Sequence, residues 1–164
     1  MRLIGIALRS SKMAPLVEVE EAKITFEDGL VGDSRSKSSK EKRRITILSQ
    51  EQWEDACREV GAQLPWYTRR ANLCVTGIRF GSHHIGQVMY LYMGNVAEVV
   101  LEVTGETTPC QRMDEAFPGL QQALARDGRG GITCKLLRHG SIRRDTKVYF
   151  DGLSSANDDQ GVIF

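Results

Sequence analysis

Short runs of β-type residues, most of them closed by a glycine-containing turn, constrain this chain's fold more than any other feature of its sequence. Leu3-Ile4-Gly5-Ile6-Ala7-Leu8 reads as a buried first strand. Residues 17–20 and 22–26 alternate apolar and polar side chains, and the alternation breaks at Glu21. That break predicts one bulged strand or two short ones. Asp28-Gly29 and Gly32-Asp33 are turn signals. Further strands are expected at 44–48, 72–76, 88–92, 96–103, 132–137 and 147–150. This pattern predicts a mainly β fold, an antiparallel barrel or sandwich, and argues against alternating βαβ units.

Two helices interrupt the strands. Ser49-Gln50-Glu51-Gln52 has the form of a capping box. Trp53, Ala56, Cys57 and Val60 follow at helical spacing, and Gly61 ends the run. A second helix is expected over 115–125, with Phe117, Leu120 and Leu124 on one face and Pro118 tolerable only in its first turn. Segment 34–42, Ser-Arg-Ser-Lys-Ser-Ser-Lys-Glu-Lys, has no apolar residue to pack and reads as a mobile, solvated loop. The 164 residues fit one domain, expected over 1–152, followed by a polar, flexible tail at 153–164.

No apolar run approaches the roughly 18 residues that cross a membrane. The N-terminus lacks the apolar core and cleavage site of a signal peptide. A cytoplasmic setting with free thiols is therefore expected. Lysine and arginine total 22 against 21 acidic residues, for a net charge of +1. A generic nucleic-acid binder would be strongly basic, so that class is disfavoured. The balance conceals segregation. Residues 15–33 sum to −5, while 35–44 and 126–147 each sum to +5, and Arg69-Arg70 adds a pair. These basic segments either converge on one end of the barrel or form separate solvated faces. Convergence would suit a small anionic ligand, because a focused field with a balanced total favours a compact anion over a long polyanion.

The four cysteines form no CxxC pair. Cys57 falls on a helix's apolar face, and Cys74 and Cys134 fall in strands, so all three read as small buried hydrophobes. Cys110 differs. It lies in the polar segment Glu106-Thr107-Thr108-Pro109-Cys110-Gln111-Arg112, after a strand. Pro109 stiffens the backbone before it. Arg112 is placed to favour the thiolate, the form that attacks electrophiles and binds metals. His83-His84 and His139-Gly140 read as turns. Gly128-Arg129-Gly130-Gly131 lacks the Lys-Ser/Thr pair of a phosphate loop and reads as a turn into the next strand.

Taken in order, five segments resemble the MOSC domain, the module named for the C-terminal domain of molybdenum cofactor sulfurase. They are Gly29-Leu30-Val31-Gly32-Asp33, then Arg44-Ile45-Thr46-Ile47-Leu48-Ser49-Gln50-Glu51, then Arg69-Arg70-Ala71-Asn72-Leu73-Cys74-Val75-Thr76-Gly77. Leu101-Glu102-Val103-Thr104-Gly105 with Pro109-Cys110 follows, and Gly130-Gly131 with Gly140-Ser141-Ile142 closes the set. The resemblance implies a barrel-like core with two or three peripheral helices. It implies that Cys110 is the family's sulfur carrier or molybdenum ligand. It also implies that Arg70 and Asn72 lie against the phosphate of a pterin cofactor, with Arg69, Arg44 and Arg112 as further donors. The family is associated with pyridoxal phosphate binding as well. Two departures stand out. Ser34-Arg35-Ser36-Lys37 replaces a histidine often found after Gly-Asp, and Arg144-Asp145-Thr146-Lys147-Val148 lacks the glycine of the closing motif.

Three functions follow from the resemblance. The first is a molybdenum-cofactor (molybdopterin) protein that reduces N-hydroxylated or N-oxide small molecules through a Cys110-ligated metal. With no flavin or iron–sulfur motif, it would draw electrons from a separate reductase. The second is a sulfur carrier holding a Cys110 persulfide. With no pyridoxal phosphate domain, it would be loaded by a cysteine desulfurase. The third is a non-enzymatic pterin- or anion-binding module.

Overall fold

A computed structural model describes residues 1–126 and 128–151. The chain opens with β1 (Arg2–Leu8), β2 (Val17–Glu18), β3 (Glu21–Thr25) and β4 (Gly29–Leu30). Then come α1 (Ser34–Ser38), β5 (Ile45–Ser49), α2 (Gln50–Val60), β6 (Leu73–Thr76), β7 (Val88–Met93) and β8 (Val96–Glu106). It finishes with α3 (Arg112–Ala116), α4 (Leu120–Leu124), β9 (Ile132–Arg138), β10 (Gly140–Arg143) and β11 (Thr146–Phe150).

Seven strands close into a barrel in the order β11-β7-β8-β9-β5-β6-β1. β1 returns to β11 through the pairs Arg2–Lys147 and Leu3–Thr146. Closure leaves no free edge within the barrel itself. β2 pairs with β1, and a separate sheet orders β10-β3-β4. The alternation break at Glu21 thus resolves into two short strands. One feature departs from the all-antiparallel expectation: β5 and β6 run parallel, with Ile47 opposite Leu73. α2 and the segment after it lie between these strands in the chain, and a parallel pair requires such a crossover.

Strand alternation creates two cores. Ile45, Ile47, Leu73, Val75, Leu101, Val103 and Cys134 are among the residues that fill the barrel. Leu48 joins a second cluster with Trp53, Ala56, Cys57, Met113, Leu120 and Leu124, which seats the helices on the barrel wall. Each such buried side chain stabilises by about 1.5–3 kcal/mol. α2 begins where expected: the Ser49 hydroxyl accepts from the Gln52 amide N–H at 3.3 Å. The Gln52 side chain exchanges two hydrogen bonds with the Phe80 backbone. Gly61, at φ +75°, ends the helix in the left-handed conformation.

Two helical expectations are corrected. The helix expected over 115–125 is two helices, α3 and α4, separated by Phe117-Pro118-Gly119. Proline excludes its predecessor from helical geometry, and Phe117 is extended at φ −160°. Segment 34–42 is not an irregular loop. Asp33 caps α1 by accepting from the Ser36 amide at 2.8 Å. The Ser36 hydroxyl, buried, donates to the Arg44 carbonyl and accepts from the Leu30 amide. Polar contacts thus fix a segment that has no apolar anchor. A further short helical turn follows at Glu41–Arg43. The tail expected at 153–164 lies outside the described residues. Among the described residues, no helix is long and apolar enough to cross a membrane.

Candidate functional site

A cavity of about 480 Å³ opens where several connections meet. The segment after β1 contributes Arg9 and Lys12, and α1 contributes Ser34 and Arg35. Arg43 precedes β5, which adds Thr46 and Ile47. The turn Trp66–Arg69 carries Arg69 and leads into Arg70. The connection from β8 to α3 supplies Thr107, Thr108 and Cys110, with Arg112 at the start of α3 and Gly130 opposite. Among the described residues, Arg9, Lys12, Arg35, Arg43, Arg69, Arg70 and Arg112 make seven cationic side chains in a wall that holds no carboxylate.

Asp33 lies behind this wall and ties it together. It is 3% exposed. One carboxylate oxygen accepts from the Arg9 amide at 2.9 Å, and the other accepts from the Ser36 amide and from Asn72 Nδ2. Asn72 Oδ1 accepts in turn from the Thr46 amide at 3.1 Å. This network positions the first three cavity segments relative to β6.

The arginines are held in different ways. Arg69 Nε donates to the Gly130 carbonyl at 3.0 Å, and its Nη2 donates to Thr107 Oγ1 at 3.2 Å. Burial lowers its pKa, and Arg35 adds to the shift. Arg70 adopts a left-handed backbone at φ +68°, which is uncommon for a residue with a side chain. Its Nη2 is buried and has no hydrogen-bond partner among the described residues. Burial lowers the Arg70 pKa, Arg112 and Arg35 push the same way, and Asp33 opposes them. Arg9 is only 5% exposed. Burial lowers its pKa, and Arg70 adds to the shift against the pull of Asp33. The Ser34 hydroxyl is likewise buried with no partner among the described residues. A bound anion would partner these donors and offset the mutual repulsion of the cations.

Cys110 is exposed at this cavity, whereas Cys57, Cys74 and Cys134 are buried. Burial pushes all three buried thiols up, away from the thiolate. Cys110 therefore stands apart in access, beside Arg69 and Arg70 in the same cavity wall. Among the described residues, no three His, Cys, Asp or Glu side chains cluster to hold a metal. A soft metal at this site would take its protein ligand from Cys110 alone and keep its other positions open.

The structure brings together Cys110, Arg69, Arg70 and Arg112 of the residues singled out in the sequence. Arg44 and Asn72 do not line this cavity. Arg44 Nη1 donates to the carbonyls of Ser36 and Lys37 at 3.1 and 3.2 Å, closing the end of α1. Asn72 is buried in the Asp33 network. Of the basic segments, 35–44 converges on the cavity through Arg35 and Arg43. Most of segment 126–147 is engaged elsewhere: Arg126 and Arg129 pair with Glu59, Lys135 with Glu102, Arg143 with Glu21 and Arg144 with Glu20. Arg9 and Lys12 escape sequence reading. Two cations in Arg9-Ser10-Ser11-Lys12 are too few to stand out as a cluster. Ser34 and Arg35, which follow Gly32-Asp33, both reach the cavity.

Comparison with known proteins is consistent across sequence and fold. The model of the MOSC domain matches residues 23–149. The crystal structure of the YuaD protein from Bacillus subtilis is similar at a TM-score of 0.72 and 19% identity, over 90% of this chain and 93% of that one. YiiM from Escherichia coli is similar at 0.67 and 18%, over 92% of this chain and 70% of that one. YiiM from Geobacillus stearothermophilus gives 0.66 and 13%, over 92% and 72%. At these identities the likeness is one of fold. No curated protein matches the sequence significantly.

Proposed function

The chain belongs to the MOSC domain family, and from that membership we propose that its cationic cavity binds the molybdenum cofactor, with Cys110 as the protein ligand to the metal. The observation that carries this reading is the buried Nη2 of Arg70, which among the described residues has no partner and lies in a cavity with seven cations and no carboxylate. The residues fit the group. A phosphate-bearing pterin needs planar donors and positive charge, and arginine forks match phosphate oxygens. Cavities of about 300–1,000 Å³ hold ligands of this size, and this one is about 480 Å³. Arg9, Ser34, Arg35 and Arg70 would hold the phosphate. Arg69, braced on Gly130 and Thr107, would keep its charge beside Cys110. The thiolate is a soft ligand suited to molybdenum.

When bound, the cofactor supplies two-electron oxo-transfer chemistry. The chain's own residues bind and orient it and leave the metal open to a small N-hydroxylated or N-oxide substrate. The electrons come from a separate reductase.

A second reading is sulfur transfer, favoured by the exposure of Cys110. A cysteine desulfurase would load a persulfide on Cys110. An acceptor thiolate would then attack the outer sulfur, the S–S bond would break, and the Cys110 thiolate would leave.

Metal analysis decides between them. Wild type and Cys110→Ala are purified from a host that makes the cofactor and is supplied with molybdenum. Metal near one per chain in the wild type, lost in the variant, is expected. A persulfide on Cys110 without metal supports sulfur transfer. Absence of both, with phosphate still raising the Tm of each protein, leaves an anion-binding module and overturns the first reading.

A further inference from the structure

The turn Trp66–Arg69, which carries Arg69 and closes on Arg70, is fastened at its first residue. The Trp66 indole lies over Gly5 of β1, where a Cβ would stand 2.5–2.7 Å from three of the ring atoms. A glycine inside a strand admits such a close approach, and any side chain there would displace the ring. Trp66 Nε1 also donates to Glu18 Oε1 on β2 at 2.8 Å. β1 and β2 are paired, with Ala7 opposite Glu18, and the segment between them holds Arg9 and Lys12. One side chain therefore ties the arginine turn to both strands that flank Arg9. At the other end of the turn, the Arg70 amide donates to the Tyr67 carbonyl at 3.0 Å. The fastening works against a repulsion, because Arg9 and Arg70 line the same cavity and the charge of Arg70 bears on Arg9. Like charges drift apart unless packing holds them. Trp66 supplies that packing, since its ring also rests against the core cluster under the helices.

We propose that Trp66 is a positioning residue for the anion site: seated on Gly5 and tethered to Glu18, it holds the Arg70 turn at the spacing from Arg9 that clasps a phosphate group. This role rests on the reading of the cavity as an anion site and names the device that assembles it in advance. Preassembly gains affinity, because the long cationic side chains need not be gathered when the anion arrives. Glu18 thus has two opposed effects on an anion. Through the overall field its carboxylate repels. Through the Trp66 tether it helps the anion to bind.

Calorimetric titration with inorganic phosphate separates the two effects, without metal or activity. Glu18 is exposed, so folding is not at stake there. Glu18→Ala removes a negative charge, which by field alone would tighten phosphate, but it also removes the acceptor of Trp66. Binding about threefold weaker than wild type is expected, the scale of one lost hydrogen bond. Glu18→Gln removes the charge and keeps an acceptor, and is expected to bind at least as tightly as wild type. Trp66→Phe keeps a ring on Gly5 without the donor and is expected to weaken phosphate about threefold. In that background Glu18→Ala weakens binding no further, because the contact is already gone. Trp66→Ala is expected to lose about tenfold. A side chain that only stabilised the fold would lower the Tm and leave the phosphate affinity of the folded protein unchanged. The role is overturned if Glu18→Ala binds phosphate as tightly as wild type or more tightly, if Trp66→Phe binds like wild type, or if Glu18→Ala weakens binding equally in the Trp66→Phe background. Wild type that binds no phosphate overturns the anion-site reading and the clasp with it. Wild-type binding that Glu18→Ala fully retains overturns the clasp alone.

Discussion

Asn72 Nδ2 donates to Asp33 Oδ2 at 3.2 Å, and this contact joins the start of β6 to the cap of α1 across 39 residues of sequence. Both residues are buried. Asp33 accepts from three donors on three segments, so its removal strands all of them. Asp33→Ala is expected to cost about 2–4 kcal/mol, the sum of a lost helix cap and unsatisfied buried donors. Chemical denaturation measures it. A loss below that of an ordinary surface substitution would remove Asp33 from its organising role.

Arg70 and Lys40 separate specific binding from general charge. Lys40 belongs to the same basic segment but is exposed and does not line the cavity. Phosphate is expected to raise the Tm of the wild type and of Lys40→Ala alike. The rise should be largely lost in Arg70→Ala. Equal losses would mean that the site acts only through its overall field.

Thiol access predicts a clean chemical signature. Cys57, Cys74 and Cys134 are at most 6% exposed, and burial disfavours their thiolates. Iodoacetamide under native conditions is expected to add one label per chain, at Cys110, because the thiolate is the reactive form. Mass spectrometry of the wild type and Cys110→Ala checks this. A native adduct on any other cysteine would contradict the packing.

His84 links stability to pH. Its Nδ1 accepts from the Gly81 amide at 3.1 Å. Burial lowers its pKa, and His83 adds to the shift. The unfolded chain therefore takes up the proton first as pH falls. The stabilising contribution is full above the unfolded value of about 6.5 and declines as pH drops toward the folded one. Tm is expected to fall between neutral pH and pH about 5. His84→Asn, which keeps an acceptor for Gly81, should flatten that slope.

Gly131 sits at φ +101°, and a Cβ there would lie 2.6 Å from the Ile47 carbonyl oxygen. Gly94, at φ +61°, has open space around its absent Cβ. Gly131→Ala combines backbone strain with a clash against backbone, so its cost is expected to exceed about 2 kcal/mol. Gly94→Ala bears only the conformational term, about 1 kcal/mol. Thermal unfolding of the pair measures the difference.

The strands of the barrel, the Ser49 cap and the Gly61 stop of α2 were legible in the sequence because each rests on contacts between neighbours in the chain. The same holds for the sorting of the cysteines: alternation and helical periodicity place Cys57, Cys74 and Cys134 inside, and the polar run around Cys110 leaves it outside. Arg70 and Arg112 stood out as charges close to motifs. Long-range partners decided the rest. Arg44 and Arg43 are adjacent, yet the carbonyls of α1 hold Arg44 while Arg43 reaches the cavity. Segment 126–147 looked as basic as 35–44, but acidic residues distant in the chain engage most of it. α1 forms only because Asp33 and the Arg44 carbonyl meet Ser36. The sequence alone determined a mainly β chain with one accessible cysteine. Tertiary structure decided which cations surround that cysteine, because a charge's neighbours in space are set by barrel closure and not by order along the chain.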